Sequence, residues 1–135
     1  MGRKYIQINY TVPIKAGLSN SQNISIFQSL DDNNFILREA YSAQSDNCQF
    51  LEDNTLLLNI SSCAFNQPNS TYYIVIDTGF VIHRETLEPL LGIYKDKWKF
   101  KTGILIVYIY LKIITNCLNV YINNNLSFVF SITDV

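Results

Sequence analysis

The sequence predicts an all-β chain arranged as an antiparallel β-sandwich. Three observations carry this. Apolar and polar residues alternate with period two through most of the first hundred residues. The alternating runs are short and bounded by Gly, Pro, Asn and Asp. No stretch has the three-to-four spacing of an amphipathic helix. At 135 residues with 48% hydrophobic side chains, the chain is long enough for one core and too apolar for disorder.

The elements follow in order. Ile6, Ile8, Tyr10 and Val12 fall on one face of a first strand, and Gln7, Asn9 and Thr11 on the other. Pro13 ends it, because proline cannot donate to a ladder. A polar loop over 16–23 leads to a strand at 24–28 with Ile24 and Ile26 inward. Asp31-Asp32-Asn33-Asn34 is turn chemistry, and 35–41 returns as a strand. Residues 42–53 read as a polar loop. Residues 55–61 read as a buried strand with Leu56, Leu58 and Ile60 inward. A compact turn over 63–69 offers Phe65 as a plug for the core. Thr-Tyr-Tyr-Ile-Val-Ile-Asp at 71–77 is the strongest strand, with Tyr73 and Val75 assigned inward. Residues 81–92 connect, anchored by Leu87, Leu90 and Leu91. In the closing strand at 97–102, Trp98 and Phe100 face in and the lysines face out.

Composition changes at Gly103. Beyond it there is no Gly, Ala, Arg, Pro or Glu. The run 104–114 is nearly all apolar, but a bilayer span needs about 20 residues. Lys112 interrupts this run, and Asn116, Asn119 and Asn123-Asn124-Asn125 follow. Residues 103–135 are therefore expected to be an irregular or apolar tail outside the domain. A chain ending at Thr102 is expected to fold. A membrane anchor through this tail is the weaker alternative, and translated AT-rich sequence is another.

The order of motifs resembles the bacterial-type Ig-like domains of S-layer and other surface proteins. Pro13 and Gly17 lead into Asn23-Ile-Ser-Ile-Phe-Gln28. Ile36-Leu-Arg38 and the strand at 55–60 follow. Then come Phe65-Asn-Gln-Pro-Asn-Ser-Thr-Tyr-Tyr73 and Trp98-Lys-Phe-Lys-Thr102. The resemblance covers residues 13–102 and implies an Ig-like sandwich without catalytic residues, serving as a spacer or adhesion module. Residues 5–12 fall ahead of it and read as the last strand of a preceding module. The segment after Gly79 lacks the polar, Gly-rich turn usual before the closing strand.

Chemistry is sparse. One His, one Met and one Trp leave little for a zinc site or a His-based triad, and a net charge of −1 argues against nucleic acid. There is no Gly-rich phosphate loop. Asp77-Thr78-Gly79 after an apolar strand matches the aspartic-protease pattern, which needs a second aspartate sharing a proton. Phe80 stands where that loop needs a small residue, so a strand ending in a turn is preferred. Cys48 and Cys63 flank one strand, and a bridge would close a loop of about fifteen residues, worth roughly 3 kcal/mol in the chain-entropy model. The alternative is two free thiols. The oxygen-rich turns at Asp31-Asp32 and Glu52-Asp53 lack EF-hand spacing, and hydrated turns are commoner. His83-Arg84-Glu85 reads as a solvated loop.

The N-terminus carries no apolar signal region, which fits a cytosolic protein or a fragment of a longer one. Sequons at Asn9, Asn23, Asn59, Asn69 and Asn125 favour the second. The sequence-level expectation is a non-enzymatic Ig-like structural or adhesion module, with no cofactor or metal, from a larger secreted or cell-surface protein. Its candidate glycosylation sites are Asn9, Asn23, Asn59 and Asn69. Its expected partners are a protein or carbohydrate surface and neighbouring Ig-like modules, with a membrane contact only through the tail. The competing classes are an aspartic-protease-like fragment and a small membrane-anchored protein.

Overall fold

A computed structural model describes residues 4–61, 64–102, 109–110 and 127–132. Among the described residues there are eleven strands and no helix. In chain order they are β1 (Lys4–Tyr10), β2 (Ile14–Ala16), β3 (Asn23–Ser29), β4 (Phe35–Ser42), β5 (Cys48–Leu51), β6 (Thr55–Ile60), β7 (Thr71–Ile76), β8 (Val81–His83), β9 (Ile93–Thr102), β10 (Ile109–Tyr110) and β11 (Ser127–Ile132). They form a four-stranded sheet in the order β11-β1-β6-β5, a five-stranded sheet β10-β9-β7-β3-β4, and the small pair β2-β8. Every pairing is antiparallel except β1 with β11, which is parallel.

Alternation does what period two demands. Ile6 and Ile8 of β1 stand opposite Leu58 and Leu56 of β6, and all four are fully buried. Ile24 and Ile26 of β3 stand opposite Ile76 and Ile74 of β7. Tyr72, Trp98 and Phe100 join them, so inward residues of both larger sheets share one apolar cluster. Each such side chain contributes about 1.5–3 kcal/mol by leaving water. Phe65 is buried as expected, with its ring edge-on to Tyr72 at 5.1 Å and to Phe100 at 4.8 Å. The Gln67 amide donates to the Tyr72 hydroxyl at 3.1 Å, which satisfies the polar end of that buried ring.

The strand read from the sequence as lying ahead of a domain beginning at residue 13 is a central strand, held between β6 and β11. Pro13 does end β1, but as a corner. Its carbonyl accepts the Arg84 amide at 2.9 Å, and the chain turns directly into β2 against β8. Two pieces of the segment set outside the domain also pair. β10 lies against the end of β9, and β11 runs alongside β1 from Tyr5 to Tyr10. The rest of that segment, with Lys112, Cys117 and Asn125, lies outside the described residues.

Three readings of the interior are corrected. The inward set of β7 is Tyr72, Ile74 and Ile76, not Tyr73 and Val75. Val75 is only half-buried, and Tyr73 is buried on the opposite, outer face. Leu87 and Leu91 do not anchor the 81–92 connection, being 49% and 74% exposed; Val81, Ile82 and Leu90 are its buried residues. The polar stretch 42–53 contains a strand, β5, paired with β6 from Cys48↔Leu58 to Leu51↔Thr55.

Candidate functional site

Asp77-Thr78-Gly79 sits where β7 ends, and its groups are committed to a corner. The Asp77 amide donates to the Asn23 carbonyl at 3.0 Å, and Asp77 Oδ2 accepts the Asn23 amide at 2.8 Å. The Phe80 amide closes the turn onto the Asp77 carbonyl at 3.1 Å. Gly79 has φ +86°, the left-handed value that glycine supplies at low cost in such turns. Thr78 Oγ1 accepts the Gly92 amide at 3.0 Å, and the Gly79 amide reaches the Leu90 carbonyl at 3.0 Å. Phe80 is fully buried beneath the turn. Gly17 packs against this corner from β2's side, where its amide donates to the Phe80 carbonyl at 2.9 Å. A Cβ at Gly17 would strike the Gly79 carbonyl oxygen.

A second polar group gathers at one edge of β4. Glu39 Oε2 accepts the Tyr41 hydroxyl and, at 3.3 Å, the Ser61 amide; Glu39 Oε1 accepts the Ser61 hydroxyl. Burial, and after it the hydrogen bond to the Glu39 carboxylate, pushes the Tyr41 phenol above its ordinary range. Nearby, burial pushes the Cys48 thiol up from 9.0 to about 11. Its Sγ–H donates to the Ser42 carbonyl at 3.4 Å and it carries no disulfide. A thiol so raised is protonated at neutral pH and is a weak nucleophile. Cys63, the other half of the expected bridge, lies outside the described residues.

The remaining sequence-derived candidates are dispersed. Asp31 Oδ1 accepts the Asn33 and Asn34 amides at 2.8 and 2.7 Å, and Oδ2 accepts the Asn34 side-chain amide at 2.8 Å. The Asn34 side chain first, then the two backbone amides, hold its carboxyl below the usual range. Among the described residues no three His, Cys, Asp or Glu side chains converge as metal ligands. His83 Nδ1 accepts the Glu85 and Thr86 amides at 3.2 and 3.3 Å, so the ring caps its own turn. Of the sequons, Asn9 Oδ1 is taken by Gln7 Nε2 and Thr55 Oγ1, both at 3.1 Å. Asn23 is clamped to Asp77, and Asn59 has a buried Oδ1. Asn69 stands exposed in a turn at φ +51°.

One arrangement escaped the sequence reading. On the outer face of the five-stranded sheet, Leu37, Phe27, Tyr73 and Lys99 stand directly side by side across β4, β3, β7 and β9. Phe27 and Tyr73 stack with centroids 5.4 Å apart, and Phe35 meets both edge-on at 5.4 and 5.9 Å. In β9, Trp98 pairs with Ile74 and Ile93 with Ile76, so residues 94–97 bulge opposite Val75. From that bulge Lys95 Nζ reaches 4.3 Å from the Phe35 centroid and 5.5 Å from that of Tyr73. The lysine alternation is visible in the sequence. The aromatic half is not, because the sequence reading places Tyr73 on the inward face. Comparison with protein-family models, curated proteins and solved structures gives no match.

Proposed function

We propose that the chain is a non-enzymatic Ig-like structural or adhesion module, a piece of a larger secreted or cell-surface protein. The observation that carries this reading is the use of Asp77. The one triplet with an enzymatic pattern spends its carboxylate and backbone on joining β7 to β3 and on closing a turn. Two sheets, antiparallel throughout except for the β1–β11 pair, share an apolar cluster, which supports the sandwich half of the reading. The test has two arms. The full chain is incubated with an unfolded protein substrate at acidic pH, beside Asp77→Asn; no cleavage by either is expected. Cleavage that disappears in Asp77→Asn would overturn the reading in favour of a protease. In the second arm, beads coated with the full chain are expected to adhere to a cell-wall polysaccharide or a cell surface above uncoated beads, and equal retention counts against an adhesive role.

A further inference from the structure

The outer face of the five-stranded sheet has a cationic half and an apolar half. Lys99 and Lys101 alternate with the inward Trp98 and Phe100, so they share the outer face of β9 at a spacing of about 6.7 Å, and the exposed Lys97 adjoins Trp98 at the end of the bulge. With Lys95 on the adjoining bulge, four of the chain's ten Lys and Arg residues lie within seven positions of a protein whose net charge is −1. Across the same face, Phe35 and Leu37 of β4 are 46% and 55% exposed. The outward positions of β3 and β7 between them carry hydroxyl, amide, Val or aromatic side chains, and none is acidic.

We infer that this face docks on the surface of a lipid bilayer bearing anionic headgroups. Both halves have a place there. Lysines are drawn to the negative surface potential within a Debye length, and their long stems keep the ammonium groups among the headgroups. Phe35 and Leu37 reach the boundary with the acyl chains, where exposed apolar side chains are stabilised. A soluble polyanion would use the lysines but leave Leu37 in water. A nucleic acid would also want open ring faces for stacking. Here Phe27 and Tyr73 stack on each other and Lys95 lies over Phe35. The inference stands on this face alone and does not depend on the Ig-like reading.

The test is co-sedimentation of the full chain with large vesicles of phosphatidylcholine, alone or mixed with phosphatidylserine, at low and high salt. Binding is expected to the mixed vesicles, weakening as salt rises. Each lysine near such a surface carries about a fivefold factor, so Lys97→Glu/Lys101→Glu is expected to weaken binding about 25-fold or more. Lys97→Gln/Lys101→Gln gives the same direction without new acidic groups, and both variants are checked for an unchanged melt. Leu37→Ser is expected to lower affinity severalfold while leaving the salt dependence in place. Equal sedimentation with both vesicle types overturns the inference. So does undiminished binding by a charge-reversed variant of normal stability, which would place the contact elsewhere in the chain. Retention on heparin or single-stranded DNA without binding to the mixed vesicles overturns it in favour of a soluble polyanion.

Discussion

Asp77 and Asn23 are joined twice: Asp77 Oδ2 accepts the Asn23 amide at 2.8 Å, and the Asp77 amide donates to the Asn23 carbonyl at 3.0 Å. The first bond is charge-assisted and replaces a ladder bond that the end of β7 would otherwise lose. Asp77→Ala is therefore expected to destabilise the fold by about 1–3 kcal/mol. Asp77→Asn keeps an acceptor oxygen at the same place and is expected to cost less. Urea titrations of the three proteins, with unchanged slopes, check both the size and the order.

The same corner makes a prediction about its glycines. Gly79 needs its positive φ, yet has ordinary van der Waals room around a Cβ. Gly79→Ala should therefore cost about 1 kcal/mol through backbone strain. Gly17→Ala drives a methyl into the Gly79 carbonyl oxygen, so the two segments must separate. It is expected to be the more damaging of the two. Thermal melts that place Gly17→Ala at or above Gly79→Ala would contradict the close packing of β2 on this turn.

Face assignment on β7 gives a sharper contrast. Ile74 is fully buried in the shared core, and Val75 is half-buried on the outer face. Ile74→Ala should cost about 2–5 kcal/mol, the usual penalty for lost contacts plus a cavity. Val75→Ala should cost less than about 1.5 kcal/mol. Reversal of this order in chemical denaturation would restore the opposite register.

Where the sequence was legible, neighbours differed in polarity. Ile24 and Ile26 flank Ser25; Trp98 and Phe100 alternate with lysines; all four apolar residues face the core. In Tyr72-Tyr73-Ile74-Val75-Ile76 every residue is apolar, so period two identifies a strand without saying which face it buries. The outer face has its own need for apolar side chains, because Phe27, Phe35 and the β9 bulge cover Tyr73. That need arises only from pairing strands distant in sequence. β5 was missed because Cys-Gln-Phe-Leu is too short to show a period, and its partner β6 supplies the ladder. The committed role of Asp77 was half legible. Asp-x-Gly announces a turn, but the bond to Asn23 spans 54 positions. The Glu39 cluster was invisible for a similar reason, since Ser61 lies 22 positions away.

Cys48 offers a prediction in pH. Its thiol is raised by burial from 9.0 to about 11. In that interval the folded state holds a proton that the unfolded chain has released. Stability from this group is thus fully present below about pH 9 and is lost as pH rises towards 11. Site-resolved mass spectrometry after brief alkylation should show Cys48 nearly unmodified at pH 7.5 in the folded chain and readily modified in urea. Cys48→Ala should flatten the alkaline loss of stability between pH 9 and 11. Equal labelling of Cys48 in folded and unfolded chains would show an exposed, ordinary thiol.

The C-terminal strand bears on where the domain ends. From the sequence, a chain shortened at Thr102 is expected to fold and to be more soluble than the whole. In the structure β11 pairs with β1 in parallel from Tyr5↔Ser127 to Tyr10↔Ile132. β1 is thereby an interior strand with partners on both sides, β6 on one and β11 on the other. Removing β11 opens the N–H and C=O groups along that side of β1 to water. It also leaves a strand carrying Ile6, Ile8 and Tyr10 at a bare edge, which invites pairing with another chain. At a net gain of about 0.5–1.5 kcal/mol for each ladder bond, the shortened chain should lose on the order of 3 kcal/mol. It should also self-associate at concentrations where the full chain does not. Melting both proteins and following their size by light scattering decides the matter. A shortened chain that melts with the full one and stays monomeric would show that β1 is stable as an edge and that the domain closes at Thr102.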